Sequence, residues 1–385
     1  MSDYLPFELQ LQIIKKLPVK PLLQFRSVSK RWKALIDSSE FINSYSIAQI
    51  HMPRLLVWYE DGYVKTKKKI VSFVNDETLE SIFLKNEINP TALGLSKQYK
   101  DLQVVGSSQG LLCLYHRSSC FSEKAVAIFW NPSIRKSVSI VVPRLLGWGF
   151  KSTVLGFGVC PITSDPTIVK ITNDREVIES IANIEVFTLS TGSWTVPRSK
   201  LPDKPVTVTW SPITIGKFIY WFGYYGIVDY EFGSCANKLI MSFDMTAQEI
   251  SVIDLPDCFV SRSSTDFSIS KLRDSLVVLE YSTNNDKQVC VIWIMNHGVS
   301  NLFTKLFTIN SPYASIRVLG FMKSGGPIMV TQDEDEYGLP AALVFYEPHS
   351  EDFKHTAIYA NYDSLFVDSY METLLLLDQP GFSDK

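Results

Sequence analysis

Ser108-Gln109-Gly110-Leu111-Leu112-Cys113-Leu114, followed by Ala127-Ile128-Phe129 and Asn131-Pro132-Ser133, decides how most of this chain is read. A polar glycine turn leads into an unbroken apolar run. A second run then ends in an aromatic residue and meets another turn. Short aliphatic and aromatic runs bounded by Gly, Pro, Ser and Asn predict strands, and an unbroken apolar strand is buried on both faces. Both phrases recur. The apolar one returns as Gly216-Lys217-Phe218-Ile219-Tyr220-Trp221, Arg273-Asp274-Ser275-Leu276-Val277-Val278-Leu279 and Gly325-Gly326-Pro327-Ile328-Met329-Val330, with a looser copy around Leu155–Val169. The aromatic one ends at Phe73, Phe129, Phe187, Phe243, Trp293 and Phe345, at intervals of 50–58 residues.

Self-similarity at this period, with about four strands per unit, is the mark of a β-propeller. A two-sheet sandwich has short strands but needs no such repeat. Six aromatic positions predict six blades, with the apolar phrase inside and the aromatic phrase outside. The first unit has only Leu55-Leu56-Val57-Trp58-Tyr59 before its aromatic phrase. A phrase of the missing kind lies at the far end, Leu365-Phe366-Val367 through Leu374-Leu375-Leu376-Leu377. The expectation is ring closure: residues 364–377 supply the inner strands of the blade that residues 54–84 begin, which removes free sheet edges.

The first forty-odd residues are of another kind. Leu9, Ile13 and Leu17 recur every four residues, and Val28, Trp32, Leu35 and Ile36 fall at i, i+4, i+7 and i+8. Both patterns predict one face of a helix. Pro6, Pro18 and Pro21 punctuate three short helices. A unit this small buries too little apolar surface to be robust alone and is expected to share its core with a partner.

Residues 4–45 resemble the F-box. The order Leu5-Pro6-x-Glu8, Leu17-Pro18-Val19-Lys20, Leu22-Leu23-x-Phe25-Arg26-x-Val28-x-Lys30-x-Trp32 and Leu35-Ile36 follows that module throughout. The resemblance implies docking onto a Skp-type adaptor, and through it a cullin, with Leu5, Pro6, Leu9, Ile13, Leu22, Val28, Trp32, Leu35 and Ile36 at the module's apolar positions. Residues 50–380 resemble the F-box-associated domain of plant F-box/kelch-type receptors. The shared phrases are Gly106-Ser107-x-x-Gly110-Leu111-Leu112-Cys113-Leu114, Trp130-Asn131-Pro132-Ser133 and Gly216–Trp221. The kelch Gly-Gly pair occurs only at 325–326, so this is no ordinary kelch array. The implied organisation is a three-helix F-box over 1–45, a linker over 46–53 and a propeller over 54–380. The implied role is a non-catalytic substrate receptor of a ubiquitin ligase that brings a target protein to the complex. The competing roles are a glycoprotein-recognising F-box lectin and a scaffold without ubiquitin transfer.

Composition bounds the alternatives. The 385 residues are 46% hydrophobic and 20% charged with net charge −3, a globular balance without the basic surplus of a nucleic-acid binder. Residues 1–45 carry seven Lys/Arg against four Asp/Glu, which suits an acidic partner. The six cysteines are scattered, mostly in apolar runs, with no Cys-x-x-Cys pair. They predict reduced core residues in a cytoplasmic or nuclear protein. No apolar run approaches membrane-spanning length, so no membrane association is expected.

Catalytic and metal signals are weak. Gly106-Ser107-Ser108-Gln109-Gly110 fits Gly-x-Ser-x-Gly, but a nucleophile elbow needs a helix after it. Here a strand phrase follows, and a turn explains the glycines. The five histidines show no ligand spacing. Asp333-Glu334-Asp335-Glu336 reads as a solvated loop tip. Neither metal nor cofactor is expected. For target recognition, the segment 223–236 with Tyr224, Tyr225 and Tyr230 predicts a loop of exposed aromatics, a composition suited to binding.

Overall fold

The computed structural model describes residues 6–49, 54–64, 68–74, 86–88, 102–116, 125–143, 151–174, 183–199, 204–225, 237–256, 259, 266–285, 287–296, 302–333 and 340–376. Four helices come first: α1 Phe7–Lys15, α2 Val19–Val28, α3 Lys30–Ile36 and α4 Ser39–Gln49. The prolines act at helix starts. Pro6 and Pro18 occupy the positions just before α1 and α2, with φ of −52° and −60°. Pro21 lies in the first turn of α2, where its missing N–H has no intrahelical acceptor to lose. The single helix expected through Val28, Trp32, Leu35 and Ile36 is broken at Ser29. Ser29 is extended at φ −152°, ψ 155°, and its hydroxyl caps α3 by accepting from the Trp32 N–H. The helix count is thus four, not three. Residues 46–49 of the expected linker 46–53 belong to α4, and residues 50–53 lie outside the described residues.

The remainder forms six antiparallel sheets in a ring. Blade 1 contains β1 Arg54–Glu60, β2 Lys68–Val74 and β3 Asn86–Ile88. Blade 2 is β4 Leu102–Ser108, β5 Leu111–His116, β6 Ala125–Asn131 and β7 Lys136–Val142. Blade 3 is β8 Lys151–Val159, β9 Pro166–Asp174, β10 Asn183–Thr188 and β11 Ser193–Thr195. Blade 4 has its first strand split into β12 Val206–Val208 and β13 Ile213–Ile215, then β14 Phe218–Tyr225, β15 Lys238–Asp244 and β16 Glu249–Asp254. Blade 5 is β17 Asp266–Leu272, β18 Ser275–Asn284, β19 Lys287–Met295 and β20 Phe303–Asn310. Blade 6 is β21 Ser315–Phe321, β22 Pro327–Gln332, β23 Ala341–Glu347 and β24 Asp352–Ala360.

The last strand, β25 Phe366–Tyr370, does not follow blade 6. It pairs antiparallel with β1, Val57 opposite Val367 and Arg54 opposite Tyr370, and becomes the first strand of blade 1. Ring closure is therefore present, with one refinement. The C-terminus contributes one strand, not several. After Tyr370 the chain leaves the sheet, and Leu374, Leu375 and Leu376 pack elsewhere; Leu377 lies outside the described residues.

The first strands touch their neighbours around the ring. Blades converge there, so side chains must be small. A Cβ on Gly156 of β8 would strike the Trp221 ring of the next blade. The apolar phrase forms the second strand, buried over all but the last residue in β5 and β22, and the aromatic phrase forms the third. The innermost strand is a separate, smaller-residue phrase that the repeat reading folded into its neighbours. Apolar clusters fill the wedges between adjacent blades, as where Trp58 of blade 1 meets Trp130 of blade 2 edge-on at 6.3 Å. The cluster between blades 2 and 3 extends further. It takes in Leu374–Leu376 and the helix residues Ile14, Val19, Leu22, Ile36, Phe41, Ile42 and Tyr45. The helical unit thus shares its core with this chain's own propeller, where a partner was expected.

Deleting residues 364–385 removes the closing strand and the leucines beyond it. At ~25 cal/mol per Å² of apolar surface, the loss exceeds what a net stability of roughly 5–15 kcal/mol tolerates. The truncated chain should aggregate and show no cooperative melt; a soluble chain melting near the wild-type temperature refutes closure as the stabilising step.

Tyr370 gives a second handle. Burial pushes its phenol from 10.0 up to about 12, and its hydroxyl is 2.8 Å from that of Ser133. A raised folded value means stability that is full below the unfolded value near 10 and lost as pH rises through about 12. Denaturant titrations at about pH 8 and about pH 11 should show Tyr370→Phe losing less stability than wild type over that interval.

Candidate functional site: the exposed helix face

The helices bury one face against the propeller and leave the other open. Leu9 is 45%, Ile13 53%, Phe25 39% and Val28 71% exposed, and Pro6 is exposed beside them. On α1 the buried position is Ile14, one residue on from the Leu9–Ile13 stripe, so the four-residue repeat marks the outward face. Trp32 is half-buried between rings, stacked on Phe7 at 5.9 Å and edge-on to Phe25 at 6.5 Å. The Arg31 guanidinium lies 4.3 Å from the Phe7 ring centre, within cation–π range. Arg26 forks onto both Asp37 oxygens, tying α2 to the end of α3; that hydrogen bond holds the guanidinium more firmly protonated. Lys16, Lys20, Lys30 and Lys33 are exposed on these same helices and give them a basic rim.

The structure sorts the nine apolar positions. Pro6, Leu9, Ile13 and Val28 are exposed, Trp32 and Leu35 are half-buried, and Leu22 and Ile36 are fully buried within the module. Leu5 lies outside the described residues. Leu22 and Ile36 thus support the face from beneath. Phe25 also belongs to the exposed set; it lies three residues before Val28, in register with that stripe, though it is not among the nine positions.

The tyrosine loop is different from expectation. Tyr224 and Tyr225 are the last residues of β14, paired with β12, and half-buried. Tyr224 is edge-on to Phe222 at 5.1 Å. Burial and a hydrogen bond with Asp254 push the Tyr225 phenol up to about 12, and Lys204 Nζ lies 5.4 Å from its ring centre. The strand runs on because Lys238 and Leu239 continue the ladder opposite. Tyr230 lies outside the described residues.

The Gly-x-Ser-x-Gly stretch is the end of β4, Gly106 to Ser108, and the two-residue turn into β5, with Gln109 at φ 46° and Gly110 at φ 80°. Ser108 Oγ accepts from the Val159 N–H at 3.0 Å, tying blade 2 to blade 3. Among the described residues no group of His, Cys, Asp and Glu is placed to hold a metal ion.

Residues 3–44 match the F-box domain family, and residues 62–379 match the family described as "F-box associated beta propeller domain". This chain belongs to the F-box proteins that carry an F-box associated β-propeller. Similar curated proteins include two from Arabidopsis thaliana. An F-box/LRR-repeat/kelch-repeat protein is 24% identical over 80% of this chain and 78% of its own length. A putative F-box protein is 23% identical over 79% of this chain and 68% of its own. Among solved structures, the six-bladed Aleuria aurantia lectin covers 80% of this chain and 92% of its own at TM-score 0.41 and 12% identity.

The F-box sits on the propeller face formed by the turns between first and second strands and between third and fourth. Gly110 and Asn131 of those turns contact residues 371–375 beneath the helices. The opposite face is where the second and third strands of each blade connect and where one blade passes to the next. It also exposes Tyr63 (70%) and Val64 (55%), with Tyr359 edge-on to Tyr63 at 5.9 Å. Asp61 fixes that tip by accepting from the Tyr63 and Val64 N–H groups.

Leu9→Glu with Val28→Glu should abolish capture of a Skp-type adaptor and leave the melting temperature within a few degrees of wild type, since both side chains are exposed. Leu22→Ala should instead cost about 2–5 kcal/mol within the module. Calorimetry and adaptor pull-down on the two variants separate surface from support.

Proposed function

We propose that this chain is the substrate-recognition subunit of an SCF-type ubiquitin ligase, a receptor without chemistry of its own. The observation that carries the reading is the two-sidedness of the F-box. One face is sealed onto the propeller, and the other presents uncovered Leu9, Ile13, Phe25 and Val28 with a basic rim. Apolar anchors of this kind, when fully desolvated by a partner, dominate binding energy. The rim suits an acidic adaptor, which would join the chain to a cullin.

The propeller would hold a target protein on the face away from the F-box, where Tyr63, Val64 and Tyr359 are exposed. Recognition resides in loops because strands are consumed by packing. The benefit is proximity: a target held near a conjugating enzyme presents its lysines at high effective concentration. Cys113, Cys160 and Cys290 are free and buried, in keeping with work in the cytoplasm or nucleus.

The test is reconstitution. The full chain, a Skp-type adaptor, a cullin and its conjugating enzyme are assembled, and targets captured by proximity labelling are assayed for ubiquitin transfer. Transfer should require the intact F-box face and fall at least tenfold for a captured target in Tyr63→Ser/Tyr359→Ser. A receptor that captures targets but supports no transfer refutes the ligase reading.

A further inference from the structure

Beyond β25 the chain does not end at the sheet. Residues 371–376 cross from the closing strand to the helices, with contacts to both the propeller and the helices. Glu372 Oε2 accepts from the Val19 N–H at 2.9 Å. This is the first residue of α2, where the helix's free N–H groups and dipole favour a carboxylate. The other oxygen of Glu372 lies 3.7 Å from Arg54, the first residue of β1. Thr373, fully buried, has its hydroxyl 3.2 Å from that of Ser46 in α4. Its carbonyl and that of Leu375 both accept from Asn131 Nδ2, at 3.0 and 2.7 Å. The carbonyl of Met371 lies so close over Gly110 that a Cβ there would collide with it. Leu374, Leu375 and Leu376 sit in the same apolar cluster as seven helix residues and the blade 2 core.

We propose that residues 371–376 are a mounting strap through which ring closure seats the F-box, so that helices α1–α4 are held in place only in a chain whose closing strand has entered blade 1. The helical unit is too small to complete its own core, and the strap supplies the missing side chains. The strap in turn is positioned by β25, which two independent contacts fix. One is the ladder to β1. The other comes from blade 5, where Lys271 Nζ reaches Asp368 Oδ1 at 2.5 Å and Ser369 Oγ at 3.1 Å. The open face with Leu9, Ile13, Phe25 and Val28 is untouched by the strap, so seating and adaptor docking do not compete.

Hydrogen exchange on the full chain tests the coupling. In Glu372→Ala/Leu374→Ala, amides of α1–α4 should exchange at least tenfold faster while the β1–β25 ladder keeps wild-type protection. Unchanged helices overturn the proposal. So does equal loss in the ladder, because the strap would then be part of closure and not a separate link. In the wild-type chain under increasing denaturant, the helices should open with the β1–β25 ladder or before it; helices that outlast the ladder overturn the proposal without any variant. The same double variant should lose at least tenfold in adaptor affinity. This last arm alone rests on the F-box docking reading: wild-type chain that binds no adaptor sinks that reading and leaves the exchange result standing.

Discussion

The pairing of Val57 with Val367, and of the residues on either side, is the interaction on which the rest depends. A β-sheet ring has no stable intermediate size. Until β25 pairs with β1, blade 1 presents β1 as an open edge, and the wedge between blades 1 and 6 lacks Val367. That wedge holds Leu55, Val57, Phe73, Val330, Phe345 and Val367 in one cluster drawn from both ends of the chain. Closure brings together residues some three hundred positions apart, so its loop entropy is met only when the intervening blades are already formed.

Near the axis the constraint becomes steric. Successive first strands crowd one another, and the chain answers with glycine and small polar residues. Gly156 admits Trp221 from the next blade. Thr214 of β13 donates to the Phe157 carbonyl at 2.5 Å. Where a long side chain does occur, as at Lys271, it is anchored by charge on β25. Blade 4 departs from the pattern. Its first strand is interrupted between Val208 and Ile213, and Trp210 from that gap packs on Tyr115 of blade 2 at 5.7 Å.

Much of this was legible in the chain, for physical reasons. The second strands and several third strands, such as β5, β6, β15 and β22, are buried on both sides, so their apolar runs survive as a readable repeat. Closure was legible because a blade lacked a strand at one end and a spare strand stood at the other. The first strands were not, since close approach selects small residues that resemble turn composition. At the helices, periodicity found the stripe Leu9–Ile13 but could not say which way it faced. An apolar face awaiting a partner and an apolar face in a core obey the same spacing, and only the placement of Ile14 separated them. The break at Ser29 was masked by the accident that Val28 and Trp32 keep helical register across it. Tyr224 and Tyr225 misled because a tyrosine- and glycine-rich strand end looks like a loop until its partner strand is known.

The second and third strands of each blade connect on the side away from the F-box, and this has an evolutionary consequence. Lengthening a surface loop costs little, about 0.6 kcal/mol for each doubling. On the far face such changes touch neither the β1–β25 ladder nor residues 371–376. The turn at Gln109-Gly110 has no such freedom, since it is packed under the Met371 carbonyl. A gene duplicating on this plan is free to insert, delete and replace residues on one side of the disc while the other stays fixed, and so to acquire new specificities without relearning how to fold.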